Sequence, residues 1–151
     1  MTERTFTAEP GSLEIVSTYV FDAPRSRVFE AYTDRALIAD WWGPEGAPLT
    51  VDKMDVEAGG SWRFVMDVGQ ELVFRGVYHG ITASEKLVFT WQFEGAATVI
   101  LQTVTFEETP DGKTKVIDQG VFQSVTDRDS MLEMGMGEGS VPAFDRLAKL
   151  L

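Results

Sequence analysis

The chain has 151 residues, with 13 Lys and Arg against 24 Asp and Glu, and no cysteine. A formal charge of −11 opposes binding to nucleic-acid phosphates and to anionic lipid, since both need neutralising positive charge. The lack of cysteine excludes a disulfide framework, a thiolate metal site and a cysteine nucleophile, and the length suits one domain, read as residues 1–151.

Residues 1–12 read as a polar lead-in, punctuated by Pro10-Gly11. No basic start followed by an apolar run is present, and no apolar stretch nears the ~20 residues that span a bilayer. A soluble cytoplasmic protein is the expectation. Leu13 to Phe21 carries Ile15, Val16, Tyr19, Val20 and Phe21, the β-branched and aromatic mixture of a strand. Asp22 is placed to cap a helix, with Pro24 tolerated in its first turn. Val28, Phe29 and Tyr32, then Leu37, Ile38, Trp41 and Trp42, repeat at helical spacing. Thr33-Asp34 separates these two short helices, and Gly43-Pro44 ends the second.

From Leu49 to Phe122 the pattern is strands and turns. The expected strands are Leu49–Val56, Ser61–Val68, Glu71–Ile81, Lys86–Phe93, Thr98–Glu107 and Lys115–Phe122, joined by short Gly- and Asp-Gly-bearing hairpin links. With Leu13–Phe21 they make about seven antiparallel strands. A last helical segment runs from about Asp127 to Leu151. Gly135, Gly137, Gly139 and Pro142 argue for a kink or two pieces, with Ser140 capping the second.

The order β-α-α-β6-α, an α+β arrangement, resembles the START-like (SRPBCC) superfamily, and within it the branch similar to the activator of a heat-shock chaperone's ATPase. The residues that carry the resemblance are Phe21-Asp22-Ala23-Pro24 with Val28-Phe29, Trp41-Trp42-Gly43-Pro44, Gly59-Gly60-Ser61-Trp62-Arg63-Phe64, Phe74-Arg75-Gly76-Val77-Tyr78 and Lys86-Leu87-Val88-Phe89-Thr90-Trp91. The resemblance implies a helix-grip fold, a curved sheet around a C-terminal helix with a cavity between them. It also implies a small apolar or amphipathic ligand, or a chaperone as the alternative partner.

Alternation places Trp62, Phe64 and Met66 on one face of their strand. By the same rule Leu72, Phe74, Gly76, Tyr78 and Gly80 share a face, as do Leu87, Phe89, Trp91 and Phe93. Such bulky sets suit an apolar pocket wall, and Gly76 and Gly80 would leave space beside the rings. Trp41 and Trp42 diverge by ~100° on a helix, so one ring can plug the interior while the other lies near a pocket mouth. Met131, Met134 and Met136 suit an adaptable lid. The expected ligand-binding set is therefore Trp41, Trp42, Trp62, Phe64, Phe74, Tyr78, Trp91, Asp118 and Met134.

Asp118 alternates with Val116, Gly120 and Phe122, so it is either a desolvated polar anchor or an exposed carboxylate, and the pattern leaves both open. His79, the only histidine, should face away from Tyr78. Arg63 and Arg75 oppose Phe64 and Phe74 and read as surface ion pairs. No metal set, cofactor or catalytic residue is expected. Three functions remain: a binder, a protein-interaction module, or a cyclase- or hydrolase-like enzyme using Asp118 or His79. The oligomeric state is open between monomer and homodimer.

Overall fold

The computed structural model describes residues 4–43, 46–135 and 141–151. The chain forms β1 (Arg4–Thr7), β2 (Glu14–Phe21), α1 (Arg25–Thr33), α2 (Arg35–Trp41), β3 (Leu49–Met54) and β4 (Ser61–Asp67). It continues with β5 (Glu71–Thr82), β6 (Lys86–Phe93), β7 (Ile100–Glu108), β8 (Thr114–Val121), α3 (Val125–Glu133) and α4 (Val141–Leu150). All strands join one antiparallel sheet in the order β1-β2-β8-β7-β6-β5-β4-β3. The two helices after β2 carry the chain to the opposite edge, where β3 begins.

The sheet has eight strands where the sequence suggested about seven. The extra one, β1, lies in the supposed lead-in and is exposed at every residue. It is held by its register with β2, Arg4 opposite Tyr19 through Thr7 opposite Val16. A strand made by edge pairing alone buries no apolar face, so it leaves no periodic signal.

Pro24, rather than Asp22, is the N-cap residue of α1, and no side chain caps that helix. Asp34 does cap α2: its carboxylate accepts from the Ala36 and Leu37 N–H groups at 2.9 and 3.2 Å. At the far end of α2, Arg146 of α4 donates to the Trp41 carbonyl at 2.9 Å and to that of Gly43. A cation there satisfies carbonyls that a helix leaves unpaired. Gly43 adopts φ +87°, and a Cβ at that position would strike the Met66 side chain. The positive φ is what favours glycine here, since the atom struck is the terminal methyl of a flexible side chain.

The C-terminal region contains two helices. α3 is capped by Ser124, whose hydroxyl accepts from the Asp127 N–H at 3.0 Å, and it ends just before Gly135. The expected Ser140 cap, Pro44, Gly137, Gly139 and Met136 lie outside the described residues. α4 lays Phe144 and the fully buried Leu147 on the sheet, and Tyr19 donates to Asp145 at 2.6 Å. Burial of a side chain such as Leu147 contributes roughly 1.5–3 kcal/mol. Beneath α3, Ile15, Ile100 and Phe122 form a small second core with Met131 and Leu132 against it.

On the outer face Arg63 pairs with Glu94 at 2.9 Å and Asp52 at 3.1 Å. Arg75 forms no ion pair among the described residues, although its charge helps to lower the Glu94 pKa after the Arg63 hydrogen bond, the main cause.

Candidate functional site

Alternation along β4 turns Trp62, Phe64 and Met66 inward, all three nearly fully buried. β5 adds Leu72, Phe74 and Tyr78 to the same face. The phase then breaks: the register shifts between Tyr78 and Gly80, so Ile81 opposes the buried Leu87 while Gly80 opposes Val88. The bulge moves Gly80 off the pocket face, and an added Cβ there would meet only Val88. Gly80 thus frees no pocket space, contrary to the sequence reading.

Gly76 also does something other than leave room for a ligand. The Trp62 indole N–H reaches over it to donate to the Thr90 carbonyl on β6, at 3.2 Å. A Cβ on Gly76 would fall 1.7 Å from the Thr90 oxygen and 2.7 Å from the indole nitrogen. The missing side chain lets a ring from β4 cross β5 and lock to β6.

β6 completes the wall with Phe89, Trp91 and Phe93. Trp42, half-buried, closes one side edge-on to Phe64 and Phe74, with ring centroids 5.2 and 5.0 Å away. Trp41 points the other way: it is buried, its indole donates to the Ala31 carbonyl at 2.9 Å, and its ring meets Tyr32. Trp41 still borders the hollow from its own side. Between these walls lies a cavity of about 430 Å³, within the size range of small-molecule sites. All nine side chains expected from the sequence border it. Met134 is 72% exposed, so it stands at the rim rather than in the wall. A smaller hollow of about 160 Å³ lies between α3 and the β6–β7 hairpin and shares Trp91, Phe93, Met131 and Met134 with the first.

The orientation of Asp118 is settled by its neighbours. Val116 and Gly120 are buried on the same face of β8, and Asp118 directs its carboxyl group at the cavity. The carboxylate Oδ1 accepts from the Gln102 amide, and the Gln102 Oε1 accepts from the Trp91 indole N–H at 3.0 Å. The amide cannot be turned over, because an indole only donates and a carboxylate only accepts. Burial raises the Asp118 pKa from 3.8 to about 6, and the Gln102 hydrogen bond opposes that rise. The second oxygen, Oδ2, has no hydrogen-bond partner among the described residues.

Tyr32 of α1 brings a phenol to the same cavity. It is 8% exposed, and its hydroxyl has no hydrogen-bond partner among the described residues. Burial raises its pKa well above the usual tyrosine value, and the charge of Asp118 adds to the rise. His79 is exposed on the outer side of β5 and takes no part. Among the described residues no cluster suited to a metal ion is present.

Tyr32 and Gln102 were missing from the expected set. Gln102 had a signal: it is the polar exception in the inward alternation Ile100, Gln102, Val104, Phe106. Tyr32 had none, because a tyrosine in an apolar helical stripe looks like packing.

The family model described as Activator of Hsp90 ATPase homolog 1-like protein matches residues 22–151, and the chain belongs to that family. Its fold is the helix grip. Among solved structures it is similar to protein Ms6760 from Mycobacterium smegmatis, at 24% identity and a TM-score of 0.89, covering 97% of this chain and 95% of that one. A protein from Arthrobacter aurescens is 25% identical with a TM-score of 0.87, covering 95% and 88% of the two chains. A Staphylococcus epidermidis protein is 26% identical with a TM-score of 0.84, covering 96% and 93%. Among curated proteins no match is found. No helix among the described residues is long and apolar enough to cross a membrane.

Proposed function

We propose that this family member binds a small apolar or amphipathic molecule in the cavity between the sheet and the helices. The observation that carries the reading is an unfilled volume of about 430 Å³ walled by aromatic rings, with a few polar groups converging on it. Rings this large normally interlock until no void of that size remains. A volume kept open by rings braced against one another is the form of a binding site. The lining rings supply apolar contact area. Asp118, Gln102 and Tyr32 supply the orienting polar contacts.

The test is native mass spectrometry of the purified protein, before and after organic extraction, joined to titration of tryptophan fluorescence with apolar probes. A co-purifying molecule, or a saturable 1:1 change in the emission of the pocket tryptophans, is the expected result. A crystal structure with the lining rings collapsed into the volume, together with no response to any probe, would overturn the reading.

A further inference from the structure

The cavity's polar groups carry a sign. Among the described residues, Asp118 is the only one bordering it that bears a formal charge at neutral pH, and no lysine, arginine or histidine borders it. No cation among the described residues pairs with Asp118, whose pKa is raised by burial and lowered by the Gln102 hydrogen bond. Among the described residues one carboxylate oxygen is unpartnered, as is the buried Tyr32 hydroxyl. A half-buried charge without a counter-charge and a buried hydroxyl without a partner are both costly. Each cost is relieved by a guest that brings hydrogen-bond donors, and the first most fully by a guest that also brings positive charge. The rings of Trp42, Trp62, Phe74 and Trp91 also border the cavity, and aromatic rings attract a cation seated over them.

We propose that the cavity is selective for an apolar molecule bearing a protonated amine, with the ammonium seated between Asp118 and the Tyr32 hydroxyl and the apolar body against the β4–β6 rings. This rests on the binding function proposed above and deepens it. An ammonium donates to Asp118 Oδ2 and to the Tyr32 oxygen, and it supplies the missing counter-charge. A neutral alcohol supplies a donor without the charge. A carboxylate, the head group of a fatty acid, meets Asp118 with like charge and is rejected.

The experiment uses three probes with one apolar body: 2-naphthylmethylamine, 2-naphthalenemethanol and 2-naphthoate. Each is titrated calorimetrically into the full chain at about 0.3 M salt, which screens the acidic surface more than the interior. The Trp91 indole N–H resonance reports occupancy at the site. The amine is expected to bind about 10-fold or more tightly than the alcohol, with the carboxylate weakest. Asp118→Asn is expected to narrow the amine-to-carboxylate ratio to within about threefold. In the native chain, the amine affinity should fall as the pH drops below about 6, while that of the alcohol should not. The other titratable groups at the cavity are Tyr32 and Tyr78, both held protonated there by burial.

If the three probes bind equally, or the carboxylate binds best, the charge selectivity is wrong and the binding function stands. An amine preference that Asp118→Asn leaves unchanged overturns the selectivity as well. If none of the three binds or moves the Trp91 resonance, the charge selectivity is overturned, and the binding function falls with it when the lining rings also prove collapsed and no other probe responds. Should Asp118→Asn fail to fold, the native ranking and its pH dependence decide the matter.

Discussion

Two aromatic groups share one core, with no ring contact between them among the described residues. Tyr19, Phe21, Phe29, Tyr32, Trp41, Phe106 and Phe144 form one chain of ring contacts. Trp42, Trp62, Phe64, Phe74, Tyr78, Phe89, Trp91 and Phe93 form the other. The first is filled from both sides, because α1, α2 and α4 insert rings from above those of β2 and β7. The second is drawn mainly from neighbouring strands of one sheet face, with Trp42 as its only helix-side ring among the described residues. Rings on one face can lean on each other without meeting an opposing layer. The same kind of residue therefore packs in two opposed layers in one half, where Tyr32, Trp41 and Phe144 still border the cavity from its far side, and forms a single-layer wall of that cavity in the other.

The sharpest test of that contrast is truncation. Phe106→Ala, in the solid half and 1% exposed, is expected to cost about 3–5 kcal/mol by urea unfolding, since it removes contacts and leaves a new void. The second largest effect has the opposite sign. Folding raises the Asp118 pKa from 3.8 to about 6, so the folded state holds that proton more tightly than the unfolded chain does. Its contribution to stability is full below pH 3.8, falls as the pH rises towards 6, and is level above that. Asp118→Asn should remove this loss. In the difference between variant and native stabilities, the variant should gain up to about 3 kcal/mol at about pH 7.5 and nothing at low pH. A variant less stable than the native chain at every pH would show that Asp118 is not desolvated.

Phe74→Ala, in the hollow half, comes third. The side chain already borders a void, so about 1.5–3 kcal/mol of transfer energy is lost without a comparable new cavity. If it costs as much as Phe106→Ala, the two halves are equally packed in solution and the contrast fails. Smallest is Arg63→Ala on the outer face. Its exposed pairs with Glu94 and Asp52 are expected to leave the unfolding midpoint where it was.

The aromatic walls were legible because they rest on a period of two, which any sheet imposes. Where that period broke, the reading broke with it. The bulge at Tyr78–Gly80 reversed the facing of Gly80. At Gly76 the absent side chain proved to serve the Trp62 crossing to Thr90, an interaction between strands far apart in sequence. Of the two tryptophans at the end of α2, the sequence indicated that they diverge. It did not indicate that each would join a different ring group.

By itself the sequence determined the order of elements from β2 onward, the run of hairpins and most inward faces of the central strands, because those follow from local periodicity and turn chemistry. Only the tertiary structure decided that Asp118 turns inward, that Gln102 fixes it to Trp91, and that a buried Tyr32 hydroxyl is left without a partner among the described residues. These facts depend on α1, β6, β7 and β8 meeting around one space. A residue's distance along the chain says nothing of what stands opposite it once the sheet has curved and the helices have closed over it.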